Sequence, residues 1–235
     1  MEEQLYQACK DGKVEEVRRL LQNSKININW QNRSNSLQTP FFIACNEGHI
    51  EVVKLLLNDK RADINQPNNS GLTPFYVACS YGHLKVVKLL LSDRRVDVNL
   101  TAESGYPPFY IACFEGHIEI VKLLLNDSRV DVNKASHTGE TPFLLACYNG
   151  KTEVVKFLLG SGREIDIDKR DNGGKSGLDW ARQKQYHNGN TDIVKLIESF
   201  RKNPYETRKN IRKESSSIFF FFFFFFFKNT FFKKK

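Results

Sequence analysis

In the stretch TPFYVACSYGH, Thr73 to His83, a phenol (Tyr76), a thiol (Cys79) and an imidazole (His83) fall within eight residues. A Cys with a His four residues on suggests a nucleophile with its base, because the thiolate is the attacking form of cysteine. It also suggests half of a zinc site, which takes thiolate and imidazole. On one continuous helix the two side chains would share a face. Gly82 stands between them and is expected to end that helix, so the facing geometry is lost. A structural zinc site also wants about four ligands, and this stretch supplies two. Elsewhere the chain has no G-x-x-x-x-G-K-[ST], G-x-S-x-G, H-E-x-x-H or G-x-G-x-x-G. NGGKSG, at 172–177, lacks the first glycine of a phosphate-binding loop at the required spacing. No catalytic residue, metal ligand or cofactor is assigned, and the chain is expected not to be an enzyme.

The elements that carry these residues recur. TPFFIACNEGHIEVVKLLLND begins at Thr39, TPFYVACSYGHLKVVKLLLSD at Thr73, PPFYIACFEGHIEIVKLLLND at Pro107 and TPFLLACYNGKTEVVKFLLGS at Thr141, a period of 34. Worn copies start at Leu5 and Ser176. Each copy reads as two helices. Thr caps the first, and Pro suits its first position, where an N–H would be unpaired anyway. Gly48, Gly82, Gly116 and Gly150 end it in a left-handed conformation. The second helix carries a broad apolar face, such as Val86, Val87, Leu89, Leu90 and Leu91. One such pair cannot bury that face, so the units must stack.

This pattern resembles the ankyrin repeat, a β-turn plus two helices per unit with a T-P-L-H-x-A signature. The resemblance implies an all-α fold, an ankyrin-repeat solenoid of stacked helix-turn-helix units with β-hairpin-like loops. The expected organisation is a capping repeat at 1–36 and four full repeats at about 37–70, 71–104, 105–138 and 139–170. A second capping repeat follows at 171–200. The sequence departs from the family pattern in three ways. Phe42, Tyr76, Tyr110 and Leu144 replace the signature His, so its hydrogen-bond network must be rebuilt or replaced by packing. The usual Gly after the second helix is missing in most copies, and Asn58 or Asn126 is expected to take its left-handed position. The first loop, Trp30–Gln38, is two residues longer than later ones.

Cys9, Cys45, Cys79, Cys113 and Cys147 occupy one repeat position. Stacked copies hold them too far apart for a disulfide, and they read as small apolar packing residues. His49, His83 and His117 likewise hold one position, and Lys151 replaces them in the fourth copy. Five unpaired thiols suit a reducing compartment, and with no secretory signal in MEEQLYQACKDGK the expected location is cytoplasmic.

Ankyrin-repeat proteins bind other proteins through loop tips and the exposed side of the first helices. By resemblance the corresponding positions are Asn69, Ser70, Leu72, Ser80 and Tyr81 in the second full copy. They are Glu103, Ser104, Tyr106, Phe114 and Glu115 in the third, and His137, Thr138, Glu140, Tyr148 and Asn149 in the fourth. The first copy offers Asn35, Ser36, Gln38, Asn46 and Glu47. These positions differ between copies while the second helices barely vary. Tyr81, Tyr106, Phe114 and Tyr148 are expected to form an aromatic strip, the residue type that anchors protein interfaces. The expected partner is a protein that the sequence does not identify. No small-molecule substrate is expected, and the chain is expected to be a monomer.

The net charge of +8 does not argue for nucleic acid. Residues 201–235 hold ten Lys/Arg and two acids and account for all of it, leaving residues 1–200 formally neutral. That tail, basic and then running through nine consecutive Phe (Phe219–Phe227), is expected to be disordered. Membrane contact through it is the alternative reading, disfavoured because the apolar run is short for a span and has no polar face.

Overall fold

The computed structural model describes residues 1–184 and 190–214. Helices come in pairs: α1 (Glu2–Lys10) with α2 (Val14–Leu21), α3 (Pro40–Asn46) with α4 (Ile50–Asn58), and α5 (Pro74–Ser80) with α6 (Leu84–Ser92). The series continues with α7 (Pro108–Glu115) and α8 (Ile118–Asn126), α9 (Pro142–Tyr148) and α10 (Thr152–Gly160), then α11 (Gly177–Lys184) and α12 (Thr191–Lys202). α1, α3, α5, α7, α9 and α11 pack in one row and α2, α4, α6, α8, α10 and α12 in a second. The result is an all-α repeat solenoid.

The sequence explains the pairing. Thr39, Thr73 and Thr141 cap α3, α5 and α9, their hydroxyls accepting from the N–H of Phe42, Tyr76 and Leu144 at 3.1, 3.1 and 3.2 Å. Pro40, Pro74 and Pro142 follow at the first helical position. At α7 the cap position is Pro107, which offers no side-chain bond, and Pro108 takes the first helical position. The four residues at the signature His position are all buried, so packing takes the place of that residue's polar network. The core repeats with the sequence: Phe41, Phe75, Phe109 and Phe143 are each 1% exposed. On the second helices Val53, Val87, Val121 and Val155 are fully buried in the same repeating core.

Polar clips join each unit to the one before it, in three parallel series. Histidine Nε2 bonds to a carbonyl of the preceding first helix: His49 to Lys10, His83 to Asn46 and His117 to Ser80, at 2.9, 2.7 and 2.9 Å. In the fourth full unit Lys151 Nζ donates to Glu115 O in the same manner, at 3.3 Å. In the last unit Asn190 Nδ2 donates to Cys147 O at 3.1 Å. Asparagine forms a second series: Asn65 Nδ2 donates to Arg95 O and Asn65 Oδ1 accepts from Asp97 N, at 2.8 and 3.0 Å. Asn29, Asn99 and Asn133 repeat this clip.

Arginine makes the third series and overturns one expectation. Asn58 and Asn126 are the last residues of α4 and α8, and the residues after them, Asp59 and Asp127, are extended, at φ −83° and −91°. Neither asparagine is left-handed; among the described non-glycine residues only Ser36 and Leu37, in the longer first loop, have positive φ. A left-handed cap is unnecessary because the next unit supplies a guanidinium to the open carbonyls. Arg95 Nη2 donates to Leu57 O and Arg129 Nη2 to Leu91 O, at 2.8 and 2.7 Å. Arg163 Nη1 donates to Leu125 O at 3.1 Å. Asp59, Asp93 and Asp127 hold Arg61, Arg95 and Arg129 in place, each at 2.6 Å. The aspartates' pKa values are lowered chiefly by that bond.

The second correction concerns the tail. Residues 204–214 form a helix, α13, rather than the start of a disordered segment. Pro204 does stop α12, but it also begins α13: Asn203 Oδ1 caps it, accepting from Glu206 N at 3.1 Å. Helix α13 docks on the end of α10. Ile211, 6% exposed, packs on Gly160. Arg208 Nε donates to Leu159 O and Arg212 Nε to Gly160 O, at 3.3 and 2.9 Å. Leu159 stands in register with Leu57, Leu91 and Leu125, so α13 supplies the arginine clip that a further repeat would bring. The poly-Phe block lies outside the described residues.

Candidate functional site

The residues that looked catalytic are structural. All five cysteines are free and fully buried. Burial pushes every one of their thiols up, away from the reactive thiolate. His83 is the cap of α6, beyond Gly82 at φ +76°, and its Nε2 is held by Asn46 O. It does not serve Cys79. No group of three or more His, Cys, Asp or Glu placed to hold a metal occurs among the described residues.

The predicted binding residues occupy one row of loops and the ends of the first helices. Asn69, Ser70, Glu103, Ser104, His137 and Thr138 are exposed at loop tips. Their backbones are chained from loop to loop: Asn69 N to Ser36 O, Glu103 N to Ser70 O, His137 N to Ser104 O and Asn172 N to Thr138 O, at 3.0, 3.1, 3.2 and 2.9 Å. The chain of bonds fixes the main chain and leaves the side chains outward. Close approach makes the loop glycines necessary: at Gly105, φ +82°, a Cβ would stand 2.7 Å from His137 N.

On the first helices Tyr81 is 61% exposed, Phe114 38% and Tyr148 36%. Glu115 is exposed; Ser80 and Asn149 are half-buried. Asn149 Nδ2 donates to Leu145 O at 3.1 Å. Asn35 and Gln38 in the first copy both bond the Tyr6 hydroxyl, at 2.6 and 2.9 Å. Ser36 and Glu47 are exposed, and Asn46 is half-buried.

Tyr106 differs from its expected role. It is half-buried and stacks on Tyr110, with centroids 4.4 Å apart, instead of standing free in the strip. Leu72 at the same register is also packed against the core. The position therefore belongs to the floor of the face. One neighbour of the strip, Trp180, was not among the expected positions. Trp180 meets Tyr148 edge-on at 4.9 Å and extends the aromatic row into the last unit. Its Nε1 donates to Asp171 Oδ2 at 2.7 Å, and Lys175 Nζ lies 4.1 Å over its ring. Tyr76 is 6% exposed, and its pKa is pushed up to about 12, first by burial and then by Tyr106 and Glu115. Tyr76 shares its register position with Tyr6 and Tyr110. A cleft of about 380 Å³ opens at the other end of the molecule's second row, between α8, α10 and α13, and shares no residue with this face.

A family model for ankyrin repeats (3 copies) matches residues 5–102, 60–136 and 109–207, nearly the whole described chain. The chain belongs to the ankyrin repeat family. Ankyrin repeats are in general protein-interaction modules and are typically not enzymes. The solved structure of EF0377, an ankyrin repeat protein, is similar at 28% identity and a TM-score of 0.75, covering 84% of this chain and 98% of that one. No curated protein matches the sequence. A total of 563 solved chains match, so the fold is too widely shared to name a partner. No helix among the described residues is long and apolar enough to cross a membrane.

Proposed function

We propose that this ankyrin repeat chain is an adaptor, scaffold or inhibitor that holds a partner protein across its loop tips and the exposed side of its first helices. One observation carries the reading. Exposed aromatic residues stand at register positions where the copies differ, on a framework whose buried residues and polar clips repeat from unit to unit. Framework positions must fit their neighbours, and surface positions are free to fit something else. Aromatic side chains on an otherwise polar surface supply large contact area at low entropic cost.

The test is affinity capture with the full chain, comparing it with the triple variant Tyr81→Ala, Phe114→Ala, Tyr148→Ala. These residues lie outside the core, so the melting temperature is expected to move little. Capture of specific proteins is expected to fall by at least about tenfold, as for loss of interface anchors. Equal capture by both chains would overturn the reading.

A further inference from the structure

The cleft between α8, α10 and α13 has a volume of about 380 Å³. Leu125, Phe157 and Ile211 give it apolar walls, and Lys122 and Asn126 stand beside them. Lys122 Nζ lies 4.4 Å over the Phe157 ring. The sequence builds this cleft at one unit only. Helix α10 differs from α4 at three of its nine positions, Thr152, Phe157 and Gly160, and the last two line the cleft. Phe157 replaces the leucine of the other full units, Leu55, Leu89 and Leu123. It is the one aromatic residue on α2, α4, α6, α8 and α10. Gly160 makes room for α13: a Cβ there would stand 2.8 Å from Ile211 Cγ2.

Size, reach and chemistry select one occupant. A cavity of roughly 150 Å³ holds one benzene molecule, so this cleft has room for about two phenyl rings. The chain carries such rings directly to it. Arg212 lines the cleft, and the run Phe219–Phe227 begins seven residues further on, outside the described residues. Seven residues span at most about 25 Å, ample for a cleft that starts at Arg212. A group tethered this closely acts at an effective concentration on the order of millimolar, so even a weak fit is filled. Each phenyl group carries apolar surface whose removal from water is favourable. The Lys122 ammonium group, already over one aromatic ring, attracts the face of another.

We propose that this cleft is the docking site of the chain's own Phe219–Phe227 block, taking about two of its phenyl rings between Leu125, Phe157 and Ile211, beside Lys122. Docking there withholds the block from other chains. It leaves the loop tips and first helices uncovered, because the cleft shares no residue with that face. The proposal therefore stands independently of the protein-binding reading.

Chymotrypsin, whose hydrophobic pocket takes phenylalanine, tests this on the full chain. Cleavage of a docked segment follows the population of its open form. The rate of cutting within Phe219–Phe227, read by mass spectrometry, is compared between the parent and two cleft variants. Asn126→Trp fills the cleft from an exposed position, and Lys122→Glu turns a carboxylate on the rings. Neither residue is buried, so the melting temperature should move little. Each variant is expected to be cut at least about tenfold faster than the parent. The control Lys54→Glu, at the same register on α4, is expected to change the rate less than about twofold. Equal rates in the parent and both cleft variants would overturn the docking. So would protection of the parent that falls on dilution, which would mean that the block enters a second copy instead. Methyl NMR of the full chain gives an independent reading. Replacing the block, Phe219→Ser through Phe227→Ser, is expected to move the Leu125 and Ile211 methyl resonances and to leave those of Leu21 and Leu57 in place. Unmoved Leu125 and Ile211 methyls would refute the proposal equally.

Discussion

The five buried thiols make stability depend on pH in a way that can be worked out. Each is fully buried, and burial alone or foremost raises its pKa above the ordinary value of 9.0. A raised acid holds its proton more tightly in the folded state. Its contribution is complete well below pH 9 and is lost as pH rises, because the unfolded chain can ionise and the folded chain cannot. Per thiol the loss is RT ln(1 + 10^(pH − 9.0)), about 0.06 kcal/mol at pH 8 and about 1.4 kcal/mol at pH 10. Five thiols therefore remove about 7 kcal/mol between those two pH values, comparable with the whole stability of a domain. Tyr6, Tyr76 and Tyr110, also raised mainly by burial, deepen the loss above pH 10. Urea titrations across this range, under reducing conditions, measure the slope. The triple variant Cys45→Ala, Cys79→Ala, Cys113→Ala will be less stable at pH 7 but should lose only about two-fifths as much on going to pH 10. An equal alkaline loss in variant and parent would refute the claim that the thiols are buried and inert.

Two further outcomes follow from the clips. Gly82→Ala forces a left-handed alanine and puts its Cβ 2.8 Å from the His117 ring, which bonds Ser80 O. It should cost about 2–3 kcal/mol in urea unfolding, and in a double-mutant cycle with His117→Ala the two costs should fall short of additive by about 1 kcal/mol; strict additivity would exclude the contact. Ile211→Asp should undock α13 and cost about 2–3 kcal/mol, read as loss of amide protection in α10 by hydrogen exchange, whereas unchanged protection would show that α13 stabilises nothing.

What was legible in the sequence was the information repeated in register. Thr73, Pro74 and Gly82 each have a local mechanism, so their caps and stops could be read from one copy. The stacking followed from an apolar face too broad for one helix pair. What was illegible depended on distances between units. His83 could be seen to be in no position to serve Cys79, but that it reaches Asn46 O in the preceding unit requires the solenoid's curvature. Asn58 looked like a left-handed cap because the guanidinium that replaces such a cap comes from Arg95, in the following unit. Pro204 carries two signals, the end of α12 and the start of α13. Asn203 and Glu206, three residues apart, carried that second signal. On the proposed binding face, exposure of Tyr81 followed from its place beyond the packed Cys79. Burial of Tyr106 did not, because it depends on Tyr110 offering a stacking surface.

The direction of the clips sets how such a chain can end. Histidine and arginine reach backwards, from one unit to the carbonyls of the unit before, while asparagine reaches forward to the backbone of the unit after. Each unit is thus completed by its successor, and stability passes along the array as nearest-neighbour terms. The first unit needs nothing further, but the last full unit would be left with open carbonyls at Leu159 and Gly160. Those carbonyls are the ones that α13 takes, with Arg208 and Arg212 in place of the arginine of a further repeat. Asn190 meanwhile replaces the histidine clip on Cys147. A chain cut at residue 203 keeps every ankyrin helix pair yet loses the clip on α10. A small part of the positive charge assigned to the tail is therefore structural: two of its ten basic residues are guanidinium caps. The proposed binding face lies along the row of first helices, where one clip, Lys151 on Glu115 O, is cationic as well.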